Sequence, residues 1–205
     1  MNRALIVLVY ICVLAGVSFA QTATAAKAEF KRLLDLKAAL EKIPMEKQDR
    51  EPHKTFLKKN DKDIVYSEPA GQWYVRSERF WTLHQKYSSL PIAEEIAWTA
   101  ALNPIPGECE GYINCYIYLS SITEGKYLSY YPNGKYSKNA IAEITERLGQ
   151  LAADDSQYDG PTEASDRAEL MKTLRELKQQ ISLSTHAEKE TANSLIAKLE
   201  AKYRQ

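Results

Sequence analysis

Apolar and polar positions alternate along this chain in stretches of mostly helical period, separated by short breaks. From Lys27 to Ile43 the residues Phe30, Leu33, Leu34, Leu40 and Ile43 fall on one side, with Lys and Glu opposite. That spacing predicts an amphipathic helix, which Pro44 ends. Met45 to Asp63 is charged and poor in apolar residues, and reads as a linker. Ile64-Val65-Tyr66 predicts a short extended piece before a turn at Pro69-Ala70-Gly71. Ser77 is placed to cap a helix carrying Phe80, Trp81, Leu83, His84 and Tyr87. Pro91 opens the next helix, with Glu94 and Glu95 in its acidic first turn and Ile96, Ala97 and Ala100 inward. Asn103-Pro104 closes it.

Tyr112 to Tyr131 carries two patterns at once. Tyr112, Cys115, Tyr116, Leu119, Ile122 and Tyr130 share one helical face, which Ile113, Ile117, Leu128 and Tyr131 widen. Ile113, Cys115, Ile117 and Leu119 also alternate with Tyr112, Asn114, Tyr116, Tyr118 and Ser120, which is a strand pattern. Beyond it, Ser137 caps a clearer helix through Leu151, with Ala140, Ile141, Ile144 and Leu148 inward. Ala152 to Asp166 is acidic and loop-like. Ala168 to Leu183 is helical through Leu170, Leu174, Leu177 and Ile181. Thr185-His186-Ala187-Glu188 has the form of a capping box, and a last helix carries Leu195, Ile196, Leu199 and Tyr203. These two helices predict a hairpin or short coiled coil. It docks on its own core or pairs with a second subunit as a homodimer.

The start of the chain sets the compartment. Arg3, the apolar run Leu5–Val17 and the small residues of Ser18-Phe19-Ala20 have the order of a secretory signal peptide over Met1–Ala20. The run is short for a stable membrane anchor. Cys12 lies inside this leader and follows Ile11, so the small-residue pattern of a lipid-modified cysteine is missing. Cys109 and Cys115 remain, and in an oxidising compartment an even pair reads as a disulfide. Six residues of continuous helix would separate them by about 9 Å along the axis, while a disulfide needs Cα atoms roughly 4.4–6.8 Å apart. Residues 109–115 therefore cannot all be helical. Pro104, Pro106, Gly107 and Gly111 agree, placing Cys109 in a loop and Cys115 in the first turn of the next element.

The segment Tyr127-x-x-x-Tyr131-Pro132-Asn133-Gly134-Lys135-Tyr136-x-x-x-Ala140 resembles the inter-helix corner of tetratricopeptide-like proteins of the bacterial envelope. In that class a Tyr or Phe precedes the proline, and a small residue opens the next helix. More loosely, Trp73 to Leu148, with its Gly-Glu-Cys-Glu-Gly loop, resembles an uncharacterised secreted bacterial family. The resemblance implies helices, favours helix over strand for 112–131 and brings no activity with it.

Composition narrows the function classes. Losing Arg3 with the leader leaves a net charge of about −1, so no electrostatic footprint for nucleic acid or anionic lipid is present. No Asn-x-Ser/Thr sequon occurs, which leans toward a bacterial product, periplasmic or secreted. His53, His84 and His186 stand apart, with no partner at metal-ligand spacing. Asp155, Gln157, Asp159, Glu163 and Asp166 fall at the first, third, fifth, ninth and twelfth positions of an EF-hand-like loop, with Gly160 sixth. That spacing raises calcium binding against the plainer reading of an acidic linker. Glu108 and Glu110 flank Cys109, and paired carboxylates suit acid–base work on an envelope polymer, glycan or peptide. Solvated loop charges or helix caps explain them as well. Trp73, Tyr74, Trp81, Tyr112 and Tyr116, with Glu108 and Glu110, are the candidate lining of a binding groove, since tyrosine and tryptophan join an apolar face to a polar tip.

The fold expected is mainly α: leader 1–20, N-terminal helix and charged linker 21–63, disulfide-containing helical core 64–152, then an acidic loop and C-terminal hairpin 153–205. Helical hairpins with a tetratricopeptide-like core would make up the centre, as the resemblance implies. The function expected is an exported, non-enzymatic interaction module of the cell envelope holding a protein or peptide, with no cofactor unless calcium. The alternatives are an enzyme using Glu108 or Glu110 and a calcium-stabilised structural protein.

Overall fold

The computed structural model describes the backbone of residues 3–107, 109–153 and 156–204, and side chains from Thr22 onward. The side chains of residues 1–21, with Glu108 and Asp155, therefore lie outside the described residues. Helix α1 runs Arg3–Leu40, starting well before Lys27. Ala26, Phe30, Leu33, Leu36, Leu40 and, past its end, Ile43 form one buried stripe at steps of three and four. Leu34 is exposed instead of inward, because it lies about 100° around the helix from Leu33. Among the described residues no helix is long and apolar enough to cross a membrane.

The stretch read as a linker is structured and docked. It holds a 3₁₀ turn at Met45–Lys47 and helix α2 over His53–Lys59. Leu57 and Asp63 are buried, and Gln48 donates to the Gly71 carbonyl at 2.9 Å. Asp63 accepts from Arg32 of α1 at 2.7 Å and forms an ion pair with Arg79 at 2.6 Å, tying three segments together. Strand β1, Ile64–Ser67, pairs antiparallel with β2, Gln72–Val75. Ile64 faces Val75 in the core, and the Tyr66 and Trp73 rings meet at 5.2 Å. Only the first of these strands is legible in the sequence, since a four-residue strand owes its extended form to its partner.

Helices α3, Ser77–Lys86, and α4, Ala93–Ala101, make a hairpin. Ala93, Ala97, Ala100 and Ala101 are buried, and their small side chains let the helices approach closely. Ser77 does not cap α3. It is the first helical residue, and its hydroxyl donates to the Ala100 carbonyl at 3.1 Å, so it bridges the hairpin. The chain then bends through Pro104–Gly111. Gly107 and Gly111 take φ of 81° and 88°, conformations open to a residue without Cβ. Cys109 and Cys115 are bonded with Cα atoms 5.2 Å apart, in the loop and the first turn of α5 as expected.

Residues 113–130 are helical, in three pieces: α5 over Ile113–Ser120, one π turn over Ser121–Gly125, and α6 over Lys126–Tyr130, while Tyr112 is extended and bridges to Asp159. The inner face differs from the straight-helix expectation. Ile113, Ile117, Thr123, Glu124, Tyr127 and Leu128 are buried, while Tyr112, Ile122 and Tyr130 are exposed. A π turn carries an extra residue, which rotates all that follows by about 100° relative to a regular helix. After the Tyr131–Tyr136 corner comes α7, Ser137–Ala152, with Ala140, Ile141, Ile144 and Leu148 buried as its pattern predicts. Ser137 is not its cap either. Its hydroxyl reaches back to the Tyr131 and Gly134 carbonyls at 2.7 and 3.0 Å, closing the corner.

Helices α8, Ala164–Ser182, and α9, Lys189–Tyr203, form the C-terminal hairpin. Leu170, Leu174, Leu177, Ile181, Ala192, Ile196 and Leu199 are buried within this chain, with α8 against α5 and α9 against α7. The capping box does not close. Glu188 makes no side-chain cap, and Thr185 gives its amide and hydroxyl to Asn133 Oδ1, both at 2.8 Å. The corner thus takes the partner that the local motif reserves for itself.

The acidic segment before α8 is held by the cysteine loop. Ile113 N–H donates to the Asp159 carbonyl and Asp159 N–H to the Gly111 carbonyl, each at 3.0 Å. Gly160 does not make the left-handed turn expected of a sixth loop position. A Cβ there would sit 2.5 Å from Tyr203 Cε1, so packing explains the glycine. Gly160→Ala should therefore lower stability by about 1 kcal/mol through overpacking against a ring that has some room to shift. Thermal melting should show the same loss in calcium and in chelator. A loss seen only with calcium would mean that the glycine serves a metal loop.

Candidate functional site

The π turn of 121–125 forms the floor of a groove. Glu124 is turned inward, its side chain only 5% exposed, and Arg147 of α7 meets it with two contacts, Nη1 to Oε2 at 3.0 Å and Nη2 to Oε1 at 3.2 Å. Arg147 Nη1 also donates to Ser120 Oγ at 2.7 Å, and the Thr123 hydroxyl bonds to Glu124. A bidentate guanidinium with further hydroxyl partners is the arrangement that offsets the desolvation of a buried carboxylate. From behind, Gln180 of α8 donates to the Ser121 carbonyl at 3.2 Å.

Two hollows open over this floor, of about 300 and 210 Å³. They share Pro104, Ile105, Leu119 and Thr123. The larger is walled by Glu78 and Trp81 of α3 and by Tyr118, Ile122 and Lys126. The smaller reaches Cys109, Tyr116 and the edge of Arg147. Tyr118 is 53% and Ile122 38% exposed, so the rim presents apolar surface to solvent. The proline-rich wall is pinned rather than free. Ser67 Oγ donates to the Pro106 carbonyl at 2.9 Å, Asn103 Nδ2 donates to the Val75 carbonyl at 2.7 Å, and the disulfide holds Cys109.

At the α3 end, the Lys126 ammonium stands 4.2 Å from the centroid of the Trp81 ring. Burial pushes the Lys126 pKa below its ordinary value, with the Glu78 charge opposing that shift. Behind Trp81 lies His84, edge-on to Trp81 at 5.9 Å and to Tyr130 at 4.7 Å. Its Nε2 shares a 2.9 Å hydrogen bond with the Tyr131 hydroxyl, and its buried Nδ1 has no partner. Burial, and then the Lys126 charge, lower the His84 pKa. Next to this cluster, Tyr127 donates to Glu94 at 2.7 Å and Trp98 stacks on Tyr136 at 5.3 Å, which together stiffen the corner. Burial and the Glu94 carboxylate hold the Tyr127 phenol above its ordinary range.

The residues singled out in the sequence divide. Trp81, Tyr116 and Cys109 line the groove. Trp73 and Tyr74 lie half-buried on β2, Trp73 against Tyr66, and do not reach it. Glu110 is exposed at a φ of 46°, Tyr112 is exposed beside it, and neither belongs to the lining. Gln157, Asp159 and Glu163 are exposed, and Asp166 lends its carbonyl to Asn114. Among the described residues no set of three His, Cys, Asp or Glu side chains gathers as a metal site. Sequence reasoning missed Ile105, Tyr118, Lys126 and Arg147. The signal for Tyr118 and Ile122 is their i, i+4 spacing on what proves to be the outer face. Nothing local links Lys126 to Trp81 or Arg147 to Glu124. No protein-family model matches the chain, and no curated protein or solved structure is significantly similar to it.

Two expectations follow from this geometry. Arg147→Met strands Glu124 as an uncompensated charge and should cost about 3 kcal/mol in urea unfolding. The double variant Glu124→Met/Arg147→Met should recover most of that loss. Equal losses in single and double variants would mean the pair is not coupled. His84 is favoured neutral in the fold, so its contribution is fully present above its unfolded pKa of about 6.5 and is lost as pH falls below it. The urea midpoint of the wild type should drop from about pH 7.5 to about pH 5.5, and His84→Leu should flatten that drop. An unchanged slope in the variant would assign the pH dependence elsewhere.

Proposed function

We propose that this chain is an exported interaction module of the cell envelope that holds a polypeptide segment in the groove over the π turn. One observation carries the reading: Tyr118 and Ile122 expose apolar surface on the rim of a hollow whose opposite wall is pinned by a disulfide and two backbone-directed hydrogen bonds. Rigid walls reduce the ordering cost of binding, and apolar side chains held in water favour a ligand that covers them. The signal-peptide pattern of Met1–Ala20 and the disulfide support export, since disulfides persist in oxidising compartments. The groove offers aromatic and aliphatic contacts around one ammonium, which suits holding a chain rather than cleaving one. The partner is expected to be a protein or peptide. The C-terminal hairpin supports binding indirectly, by bracing α5 and α7 from behind.

A photo-crosslinking residue placed at Tyr118 of the full chain, in cells that export it, tests this. A discrete polypeptide adduct is expected from Tyr118 and not from Leu183, an equally exposed site at the end of α8. Identical patterns from both sites, or no adduct from Tyr118, would overturn the reading.

A further inference from the structure

We infer that the groove selects a peptide segment carrying one Asp or Glu side chain beside an apolar residue, with Lys126 as the anchor of the carboxylate. This rests on the groove being the binding site proposed above. The two cations of the groove differ. Arg147 is neutralised by Glu124 beneath the floor, through two guanidinium contacts. Lys126 has no carboxylate within salt-bridge distance among the described residues. Its ammonium faces the Trp81 ring at 4.2 Å, and a ring face compensates a positive charge less fully than a carboxylate does. The groove therefore presents one half-buried ammonium that no carboxylate of the described residues contacts, with Glu78 acting on it only across the rim.

The surroundings of that charge specify the rest of the ligand. Ile122 lies one helical turn before Lys126, Tyr118 one turn before Ile122, and Ile105 closes the other side. A carboxylate bound to Lys126 inside the hollow lies beside these faces, so an apolar neighbour can contact them in the same pose. A hollow of about 300 Å³ holds a side chain or two, which fits a segment rather than a folded surface. Glu78 on the same rim repels carboxylates and competes for Lys126, so the ligand's acid must contact the ammonium directly, and each further acid of a polyacidic run meets that repulsion without the contact.

The test is selection of displayed random decapeptides on the disulfide-intact chain, followed by synthesis of the best binder with an amidated C-terminus. The expected binder contains Asp or Glu next to Leu, Ile, Phe, Tyr or Trp. Exchanging its acid for the amide, Asp for Asn or Glu for Gln, should weaken binding at least tenfold by titration calorimetry, about the effect of losing one charge-assisted contact. That difference should vanish in Lys126→Met and survive in Lys126→Arg. If acid and amide peptides bind wild type equally while Ile122→Glu abolishes both, this inference fails and the groove reading stands. If Ile122→Glu leaves every selected peptide bound as before, the groove reading fails and takes the inference with it. Should Lys126→Met not fold, the acid-to-amide exchange on wild type decides alone.

Discussion

The contact between Arg147 and Glu124 sets the geometry on which the centre of the molecule depends. A carboxylate this deep must be matched by directional partners, because desolvation removes the water that would otherwise compensate it. The guanidinium supplies two hydrogen bonds in a fixed plane, with the Ser120 and Thr123 hydroxyls alongside. Apolar packing would tolerate several rotations of α7 against α5. A planar pair tolerates far fewer. The π turn is the backbone side of the same arrangement, since its extra residue brings both Thr123 and Glu124 inward and sends Ile122 outward. The exposed rim and the charged floor thus follow from one irregular turn, in keeping with the frequent occurrence of such turns at functional positions.

Around this floor, long-range polar ties do work that local motifs were expected to do. Ser77 bridges a hairpin and Ser137 closes the corner before its helix, neither capping a helix, and Thr185 bonds across to Asn133 rather than within a capping box. The physical reason is the same in each case. Each hydroxyl, buried at Ser137, half-buried at Ser77 and exposed at Thr185, finds an acceptor outside its own helix. The cysteine loop gains from this as well, through Ser67 on one side and the Asp159 bridge on the other.

Spacing along the chain and contacts across the fold carry different information. The stripe on α7, the apolar positions of α8 and α9 and the placement of both cysteines were legible, because each rests on periodicity or on the reach of a short chain. The inner face of 112–131 was not, because a straight-helix pattern cannot anticipate a π turn stabilised by a residue of a later helix. β2 escaped notice because four residues hold an extended form only when paired. The 45–63 segment looked like a linker since it has few apolar residues, of which Leu57 is buried and Phe56 only partly so. Of the site, Trp81, Tyr116 and Cys109 were foreseen by residue type. Lys126 and Arg147 were not, since a cation has no identity as a ligand until its neighbours are known.

By itself, then, the sequence determined the helical class, the position of the covalent clasp and which helix faces are apolar, since these depend on spacing along one chain and on the geometry of two sulfurs. Tertiary structure alone decided which aromatics meet solvent, which carboxylate is buried and which ammonium faces a ring rather than a carboxylate. Those outcomes depend on what packs across from each residue, and in this chain the facing partners of Glu124, Trp81 and Thr185 all lie far from them along the backbone.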